Sequence, residues 1–326
     1  MDYLYNWCKS KKTLHGCTVI VTGGNCGIGK ETCLDLYKRG ARVIMACRNL
    51  EKAENAKADI LKDTHTEGHK GSIDIVELDL NSLESVKKCA FNILSIENNI
   101  NVLINNAGVM LCPRGFTEEG FETQIGVNHF GHALLTLLLL PRIIKSAPSR
   151  IINVSSFAHT LSSLDFDDIN CEKSYYFQTG AAYSRSKIAN ILFAKALHLK
   201  LRENGIENVN TYSLHPGIVS TELARHLNNS IMNGASWIFY NIFGLFMKTP
   251  RCGAQTTIYC AVDEACDKES GHYYDNCGIA WWSTSQCRNT ASALKLYDLT
   301  MKMLKLENYD PFGNLDPTPS MFNMKM

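Results

Sequence analysis

Tyr183 and Lys187 are the residues of this sequence whose types and spacing most directly indicate catalysis. They lie four positions apart in AAYSRSKIAN (181–190), so on a helix their side chains share one face. A phenol has a pKa of about 10 and is a poor acid–base catalyst at neutral pH. A neighbouring ammonium favours the phenolate and lowers that pKa. The pair therefore predicts an acid–base site, although a chance Tyr-xxx-Lys also occurs on many helices.

A glycine-rich turn near the N-terminus predicts a binding site for a dinucleotide. TGGNCGIGKE (22–31) directly follows the first predicted strand and opens the first predicted helix. Gly23 permits the tight turn, Gly27 lets the backbone approach a pyrophosphate, and Gly29 allows close packing of helix and strand. The free N–H groups and the positive end of the helix dipole then face the phosphates. A plain glycine turn is the alternative, but the position at a strand–helix junction favours the dinucleotide.

The end of the second predicted strand indicates which dinucleotide is bound. An acidic residue about 20 positions beyond the glycine turn would hold the ribose hydroxyls of NAD. Here Cys47 stands 18 residues after Gly29 and is followed by Arg48 and Asn49. No carboxylate repels a 2′-phosphate at this place and Arg48 can clamp one, which predicts NADP(H). A solvated surface arginine is the alternative for Arg48.

The composition excludes several classes of protein. The 326 residues are 45% hydrophobic, and 33 Lys and Arg balance 32 Asp and Glu to leave a net charge of +1. That balance gives no general attraction to nucleic acid.

The 13 cysteines form no CxxC pair and the closest two are Cys260 and Cys266, which predicts free, mostly buried thiols in a reducing compartment. His129 and His132 share a helix face, but without an evident third ligand we expect no metal site.

Short β-rich segments alternate with amphipathic segments along the chain. Strands are predicted at 17–22, 41–47, 72–80, 101–106 and 150–156, and helices at 28–40, 49–63, 82–97, within 117–144, and from 181. The apolar segment LLTLLLLPRII (134–144) is too short to span a bilayer and fits a helix buried against a sheet. The alternation predicts an α/β fold with a doubly wound parallel sheet and helices on both faces.

No linker divides the chain, so we expect a single domain over residues 1–326. Residues of about 15–215 would form the dinucleotide-binding and catalytic core, about 216–250 a substrate-lid insertion, and 251–326 a less regular C-terminal part. The N-terminus, MDYLYNWCKSKKTLHG, lacks the apolar run of a signal peptide or membrane anchor, which predicts a cytoplasmic protein.

Several motifs together resemble the short-chain dehydrogenases/reductases. The matching segments occur in the family's order: TGGNCGIG (22–29), NNAG (105–108), SS (155–156), YSRSK (183–187) and HPG (215–217). The likeness covers roughly residues 15–280. Longer matches, among them VNHFGHALLT, NVSSFAH and HPGIVSTEL, resemble the microsomal retinol dehydrogenase/retinal reductase branch. The resemblance implies a Rossmann fold and hydride transfer between a nicotinamide cofactor and a carbonyl or CH–OH group.

The resemblance also implies a catalytic tetrad. Tyr183 would donate a proton to the carbonyl oxygen or remove it from the alcohol, while Lys187 and an oxidised nicotinamide lower its pKa. Lys187 would also bind the nicotinamide ribose. Ser156 would hydrogen-bond the substrate oxygen, whereas Ser155 better fits packing or a strand-end hydrogen bond. Asn128 would hold a water that links Lys187 to a proton relay, and the alternative is a buried amide that kinks its helix.

The family's cofactor contacts carry over onto matching positions. Besides Tyr183 and Lys187, these are Gly23, Asn25, Cys26, Gly27, Ile28, Gly29, Arg48, Asn49, Asp79, Leu80, Asn106, Ala107, Gly108, Pro216, Gly217, Val219 and Thr221. Asp79 corresponds to the adenine end of the cofactor. Cys26 departs from the branch, which usually has Thr or Ser there, and a thiol at this position makes the loop sensitive to oxidation. His159 recurs in the branch without an assigned chemistry.

Residues 231–247, IMNGASWIFYNIFGLFM, form the most apolar long stretch of the chain. The family builds its substrate pocket from the segment after HPG, so Trp237 and Tyr240 are implied to contact substrate together with Ser156. Seventeen helical residues span about 26 Å, which is short for a bilayer of about 30 Å, and the segment is amphipathic. It predicts a substrate lid. The alternative is a lid that also rests on a membrane, at the cytosolic face of the endoplasmic reticulum.

Together these features predict an NADPH-dependent oxidoreductase that interconverts a retinoid, or a similar lipophilic aldehyde or ketone, and its alcohol. The alternatives are a broad carbonyl or steroid reductase of the same fold and a dinucleotide-binding scaffold without activity. The intact set of Tyr183, Lys187, Ser156 and Asn128 argues against the scaffold. Family members are often dimers or tetramers, so a homo-oligomer is implied by analogy alone.

Overall fold

The predicted first strand is β1 (Thr18–Thr22), whose residues are all buried because helices cover both faces of the sheet. The computed structural model describes residues 5–64, 71–173, 179–219 and 247–313. Within those ranges the other strands are β2 (Arg42–Cys47), β3 (Ser72–Glu77), β4 (Val102–Asn105), β5 (Ser149–Val154), β6 (Val209–His215), β7 (His272–Asp275) and β8 (Gly278–Ile279). They form one sheet in the order β3-β2-β1-β4-β5-β6-β7-β8. Neighbouring strands are parallel except β7 and β8, which are antiparallel.

Helices alternate with these strands and cover both faces of the sheet. Those described are α1 (Gly27–Lys38), α2 (Leu50–Asp63), α3 (Leu83–Ile96), α4 (Thr123–Lys145), α5 (Thr179–Glu203), α6 (Pro250–Gly253), α7 (Gln255–Val262), α8 (Ser285–Arg288) and α9 (Thr290–Met303). One core contains apolar residues of α3, α4, α5 and α9, and the other contains those of α1, α2 and α7. The predicted α/β fold with a doubly wound, mainly parallel sheet is confirmed.

The strand order reverses beside β1. The chain runs from β1 outward to β3 on one side, and from β4 to β8 on the other. In doubly wound sheets, ligands bind at the carboxyl ends of the strands next to such a reversal. The glycine turn follows β1 at this place, and NNAG (105–108) begins at the last residue of β4. The topology therefore brings two of the predicted motifs to one edge of the sheet.

Helix α4 is 23 residues long and its most apolar 18-residue window has a mean hydropathy of 1.3, so it is long and apolar enough to cross a membrane. However, 89% of its most apolar window is buried inside the protein, and residues 134–141 are all buried. The prediction that this segment is buried against the sheet is therefore correct. A π-helical turn at Gly126–Phe130 interrupts the helix and places one extra residue in that turn.

The C-terminal part is more regular than the sequence predicted. Beyond residue 250 it contributes α6 to α9 and adds β7 and β8 to the sheet, with Tyr212 paired to His272 where β7 joins β6. These elements are short, and periodicity identifies long segments more readily than short ones. The predicted lid at 216–250 is described only at its two ends, because residues 220–246 lie outside the described ranges. There the backbone N–H of Lys248 donates to Ile218 O at 2.8 Å.

All 13 cysteines are free thiols and nine of them are buried, as the sequence predicted. Burial raises the pKa of Cys47 to about 11 and that of Cys89 to about 12. A protonated thiol is a poor nucleophile, so these two side chains act as apolar packing groups.

His129 and His132 share a face of α4 but contact different neighbours. The Nε2 atom of His129 lies 2.9 Å from the hydroxyl of Thr300 in α9, and that of His132 lies 2.8 Å from the hydroxyl of Thr22. Burial lowers the pKa of His129 to about 3 and that of His132 to about 4. Each ring is therefore neutral near pH 7 and serves as a polar contact between α4 and a neighbouring element.

Acid should destabilise the fold through these two rings. A histidine whose native pKa lies below its unfolded value of about 6.5 takes up a proton on unfolding, so stability falls as the pH falls below about 6.5. Between pH 7 and pH 5 each ring should lower the free energy of unfolding by about 2 kcal/mol. In urea titrations at these two pH values, the free energy of unfolding of His132→Asn should fall correspondingly less between pH 7 and pH 5 than that of the wild type. The control is His272→Asn, because His272 is exposed; wild-type pH dependence in His132→Asn would contradict the assignment.

Candidate active site

The first turns of α5 carry Tyr183 and Lys187 on one face, as their spacing predicted. The ammonium of Lys187 lies 5.5 Å from the centre of the Tyr183 ring, and both side chains are buried. Lys187 Nζ donates to the carbonyl of Val154, the last residue of β5, at 3.1 Å. Asn190 Nδ2 donates to the same oxygen at 3.1 Å. These bonds hold α5 against the carboxyl end of β5, next to the serine pair.

The pKa of Tyr183 differs in direction from the sequence prediction. Burial raises it to about 12, and a hydrogen bond with the Ser156 hydroxyl offsets part of this increase. Burial also lowers the pKa of Lys187 to about 8. The predicted decrease is therefore wrong for the protein's own groups. The desolvation of a buried phenolate outweighs the effect of an ammonium that is itself desolvated.

Ser155 and Ser156 have different hydrogen-bond partners. Ser155 Oγ donates to the carbonyl of Lys187 at 2.7 Å and so ties β5 to α5. Ser156 caps the short 3₁₀ turn that follows it, where its Oγ accepts from Ala158 N at 3.2 Å. The same hydroxyl bonds Tyr183. The second serine of the pair is thus the one beside the phenol, and Ser155 has a structural role.

Asn128 lies in the π-helical turn of α4. Its Nδ2 donates to the carbonyl of Val109 and to the hydroxyl of Ser186, both at 2.9 Å, and its Oδ1 accepts from Val109 N at 2.8 Å. A Cβ atom on Gly108 would lie 3.1 Å from this Oδ1 and 3.6 Å from Lys187 Nζ. Asn128 is thus a buried amide at a helix irregularity, close to the ammonium. Its water-holding role stays a prediction that depends on the second lone pair of Oδ1.

The glycine turn after β1 has the geometry of a phosphate-binding loop. Gly23 and Gly27 have φ angles of +65° and +50°, where a side chain would be strained. A Cβ atom on Gly29 would lie 2.3 Å from Gly23 O and 2.7 Å from Asn106 Nδ2. The N-cap Cys26 makes no side-chain cap, and the first turn of α1 has no acidic residue. The first N–H groups of α1 are therefore suited to bind a phosphate.

Arg48 lies at the surface where β2 ends. Its side chain is 67% exposed, and its Nη1 lies 3.9 Å from Asp79 Oδ1. An exposed ion pair of this length contributes little energy, so the guanidinium remains available to an anion. Asn49 caps α2, where its Oδ1 accepts from Lys52 N at 2.7 Å. The Oδ1 atom of Asn49 is thus already used inside the protein, which leaves its Nδ2 and its backbone for a cofactor contact.

Thr22, the last residue of β1, connects the glycine turn to the segment after β4. Its Oγ1 accepts hydrogen bonds from the backbone N–H groups of Asn106 and Ala107, both at 2.9 Å, and lies 2.8 Å from His132 Nε2. Asn106 Nδ2 donates to Thr22 O at 2.9 Å. Sequence reasoning missed this residue, because its role depends on a strand that is distant in sequence. The available signal was a hydroxyl directly before the glycines.

The remaining predicted cofactor positions are buried or half-buried: Asn25, Ile28, Leu80, Pro216, Gly217 and Val219. Gly217 has a φ angle of +96°, and a Cβ atom there would lie 2.6 Å from the Lys248 side chain. Thr221 and the predicted substrate contacts Trp237 and Tyr240 lie outside the described residues.

Comparison with known proteins identifies the family. Residues 17–167 match the family model of the short chain dehydrogenases. Retinol dehydrogenase 11 of Homo sapiens is 45% identical over 299 residues, which cover 92% of this chain and 89% of that protein. The chain belongs to the short-chain dehydrogenase/reductase family. Retinol dehydrogenase 13 of Homo sapiens is 47% identical over 268 residues, covering 82% of this chain and 78% of that protein, so the resemblance to the retinol dehydrogenase branch is confirmed.

Solved structures share the fold of this short-chain dehydrogenase/reductase. An uncharacterised protein of Mycobacterium paratuberculosis matches with a TM-score of 0.71 at 30% identity, covering 92% of this chain and 98% of that one. The RhlG–NADP complex of Pseudomonas aeruginosa matches with a TM-score of 0.60 at 24% identity, covering 80% and 94% of the two chains. As a member of this family, the protein is an oxidoreductase that acts on CH–OH groups with a nicotinamide dinucleotide.

Gly29→Ala tests the phosphate loop. Because the new Cβ would collide with Gly23 O, the loop has to shift, and we expect dinucleotide affinity to fall about 10- to 100-fold. Calorimetric titration with NADPH and NADH measures this. The control is Gly278→Ala in β8, where the nearest atom to a Cβ is 4.0 Å away. Wild-type affinity in Gly29→Ala would show that the loop does not hold the cofactor.

Proposed function

We propose that the protein uses NADPH to reduce retinal or a similar lipophilic aldehyde or ketone, and catalyses the reverse oxidation of the alcohol. The observation that carries this proposal is the hydrogen bond between the buried Tyr183 phenol and the half-buried Ser156, with the Lys187 ammonium 5.5 Å from the phenol ring. Reduction of a carbonyl requires a proton donor and a hydrogen-bond donor at the substrate oxygen, and these residues supply both. The similarity to retinol dehydrogenases 11, 12 and 13 supports the substrate class.

NADP(H) fits the residues at the carboxyl ends of β1 and β2. The space next to Gly29 admits no side chain, so α1 packs closely against the end of β1 and its first N–H groups lie at the glycine turn, where a pyrophosphate would bind. Arg48 would hold the 2′-phosphate, because its guanidinium is exposed and β2 ends without a carboxylate. Residues 106–108 would line the path toward Lys187. When bound, the nicotinamide supplies the hydride for the carbonyl carbon or accepts it from the alcohol.

The protein's own residues manage the proton. Burial keeps Tyr183 protonated, so its phenol is ready to donate to the substrate oxygen in the direction of reduction. Ser156 hydrogen-bonds the same oxygen and so aligns it with the phenol. Lys187, held at the Val154 carbonyl, places a positive charge beside the phenolate that remains after proton transfer. No free alkoxide then accumulates on the substrate.

A lipophilic substrate fits the apolar side chains next to Ser156. Phe157 directly follows this serine, is 49% exposed, and lies 5.6 Å from the ring of Trp282. Leu161, at the end of the same turn, is 72% exposed. Exposed large apolar groups beside a polar reaction centre suit a hydrocarbon chain better than a sugar or an acid. Trp237 and Tyr240 remain predicted contacts for the same substrate.

The setting of the enzyme is also a proposal. A lid formed by residues 231–247 that rests on a membrane at the cytosolic face of the endoplasmic reticulum would give direct access to a lipophilic substrate. A homo-oligomer and a cytoplasmic location remain predictions from the sequence.

Purified protein should reduce all-trans-retinal with NADPH. The reaction is measured by the loss of NADPH absorbance. Tyr183→Phe should lower kcat about 100- to 10,000-fold while NADPH binding survives, because it removes the proton donor and leaves the phosphate contacts in place. Tyr259→Phe is the control, since Tyr259 lies in α7 on the opposite core. Unchanged turnover in Tyr183→Phe would contradict the mechanism.

Lack of turnover with retinal, farnesal and medium-chain aldehydes would contradict the substrate class, and preference for ketosteroids would favour a broad reductase.

Arg48→Leu should weaken NADPH binding by about 10- to 100-fold and leave NADH binding nearly unchanged, because the substitution removes a partner of the 2′-phosphate. Fluorescence titration with both cofactors measures the ratio of the NADPH and NADH dissociation constants. Lys62→Leu, in the last turn of α2, removes the same charge at a distance and should leave the ratio unaltered. Equal losses for both cofactors in Arg48→Leu would identify Arg48 as an ordinary surface residue.

A further inference from the structure

Two buried histidines contact the backbone directly after the substrate-binding serine. His159 lies in the 3₁₀ turn Phe157–Leu161, and its Nδ1 is 2.7 Å from the carbonyl oxygen of Ser156. His215, the last residue of β6, accepts at its Nδ1 a hydrogen bond of 3.0 Å from the N–H of Phe157. The two contacts therefore involve the carbonyl and the N–H of one peptide bond, Ser156–Phe157.

These contacts require opposite tautomers of neutral imidazole. A carbonyl only accepts, so His159 carries its proton on Nδ1; an N–H only donates, so Nδ1 of His215 is unprotonated. Burial lowers the pKa of His159, and burial with the nearby Lys248 lowers that of His215 to about 3. The Nε2 atom of His159 has no hydrogen-bond partner within the described part of the chain. The hydrogen bonding of that ring thus rests on Nδ1.

An indole ring packs against both imidazoles. Trp282 stacks on His159 with ring centres 5.4 Å apart and 29° between the planes, and it meets His215 edge to face at 6.1 Å. Tyr273 of β7 packs edge-on against His159 at 5.0 Å. Rotation of either imidazole would displace Trp282, so the two hydrogen bonds hold the Ser156–Phe157 peptide in one orientation.

We propose that His159 and His215 are positioning residues for Ser156, which they fix by binding both sides of its peptide bond. Ser156 has an extended backbone, with φ −158° and ψ 156°, and its hydroxyl bonds both Ala158 N and Tyr183. If the peptide were free to rotate, ψ of Ser156 would vary, Ala158 would move away, and the hydroxyl would turn from the phenol. The inference rests on the proposed function, in which Ser156 binds the substrate oxygen.

Two substitutions at each histidine separate the hydrogen bond from the bulk of the ring. His159→Asn keeps an N–H donor near the place of Nδ1, and His215→Asn offers an oxygen acceptor there. His159→Leu and His215→Leu keep apolar bulk and lose the hydrogen bond. We expect each Leu variant to lower kcat about 10- to 100-fold without loss of NADPH affinity, and each Asn variant to restore most of that loss. His198→Leu, half-buried in α5 away from the serine, is the control and should keep wild-type kcat.

A double-mutant cycle with Ser156→Ala decides whether the histidines act through the serine. If they do, His159→Leu lowers kcat in the wild-type background and has no further effect in Ser156→Ala, and His215→Leu behaves in the same way. A general loss of packing would instead lower kcat by the same factor in both backgrounds. That result would overturn the proposal.

The tautomers are measured without any turnover. Long-range proton–nitrogen correlation spectra of the wild-type protein with isotope-labelled histidine should show His159 protonated at Nδ1 and His215 protonated at Nε2 at neutral pH. The Leu variants assign the two signals. The same tautomer in both rings, or a charged ring, would overturn the proposal. If the wild type reduces no retinal, the proposed substrate fails, and the spectra still decide the role of the histidine pair.

Discussion

The rest of the site depends on a reciprocal attachment between α5 and the end of β5. Lys187 donates through Nζ to Val154 O, while its own carbonyl accepts from Ser155 Oγ. Burial of the ammonium lowers its pKa to about 8, so this cation is kept out of water only because the fold supplies a carbonyl for it. The attachment fixes the start of α5, which carries Tyr183, relative to the end of β5, which Ser156 follows.

Parallel strands explain how residues that are distant in sequence come together. Thr22, Ser156 and His215 all lie at or just beyond the carboxyl end of a strand, and those ends share one edge of the sheet. Thr22 links the glycine turn to the segment after β4, and His215 reaches the turn after β5. This edge of the sheet is thus a connected hydrogen-bonded surface that holds the glycine turn, Ser156 and Tyr183 in place.

The strand–helix order and the glycine turn could be predicted because both depend on local patterns. Strands predicted at 17–22 and 41–47 agree with β1 and β2 to within one residue. β3 was predicted to reach residue 80 but ends at Glu77, because its partner β2 ends at the paired Cys47. Pattern alone does not show where a neighbouring strand ends. Five of the eight strands were predicted, and β6, β7 and β8 of the sheet were not.

The identity of the site residues was easier to predict than their pKa shifts and hydrogen bonds. Tyr183, Lys187 and Ser156 do meet, but the direction of the pKa shift of Tyr183 depends on burial, which has no local signature. The roles of Thr22, His159 and His215 depend on hydrogen bonds to partners that tertiary structure supplies. For His159 this partner is only three positions away, yet the packing of the ring depends on Trp282, far along the chain.

The π-helical turn of α4 has a consequence for how the chain can change its length. Asn128 stands inside this turn, and the buried residues 134–141 follow it on the same helix. The extra residue is accommodated within that turn, so deleting one residue there would restore a regular α-helix and leave the leucines beyond it on the same face. The deletion would, however, remove the turn that contains Asn128. A deletion elsewhere in the helix would instead rotate everything beyond it by about 100°, because an α-helix has about 3.6 residues per turn. Changes of length therefore disturb the amide when they fall inside the turn and the leucines of the core when they fall outside it.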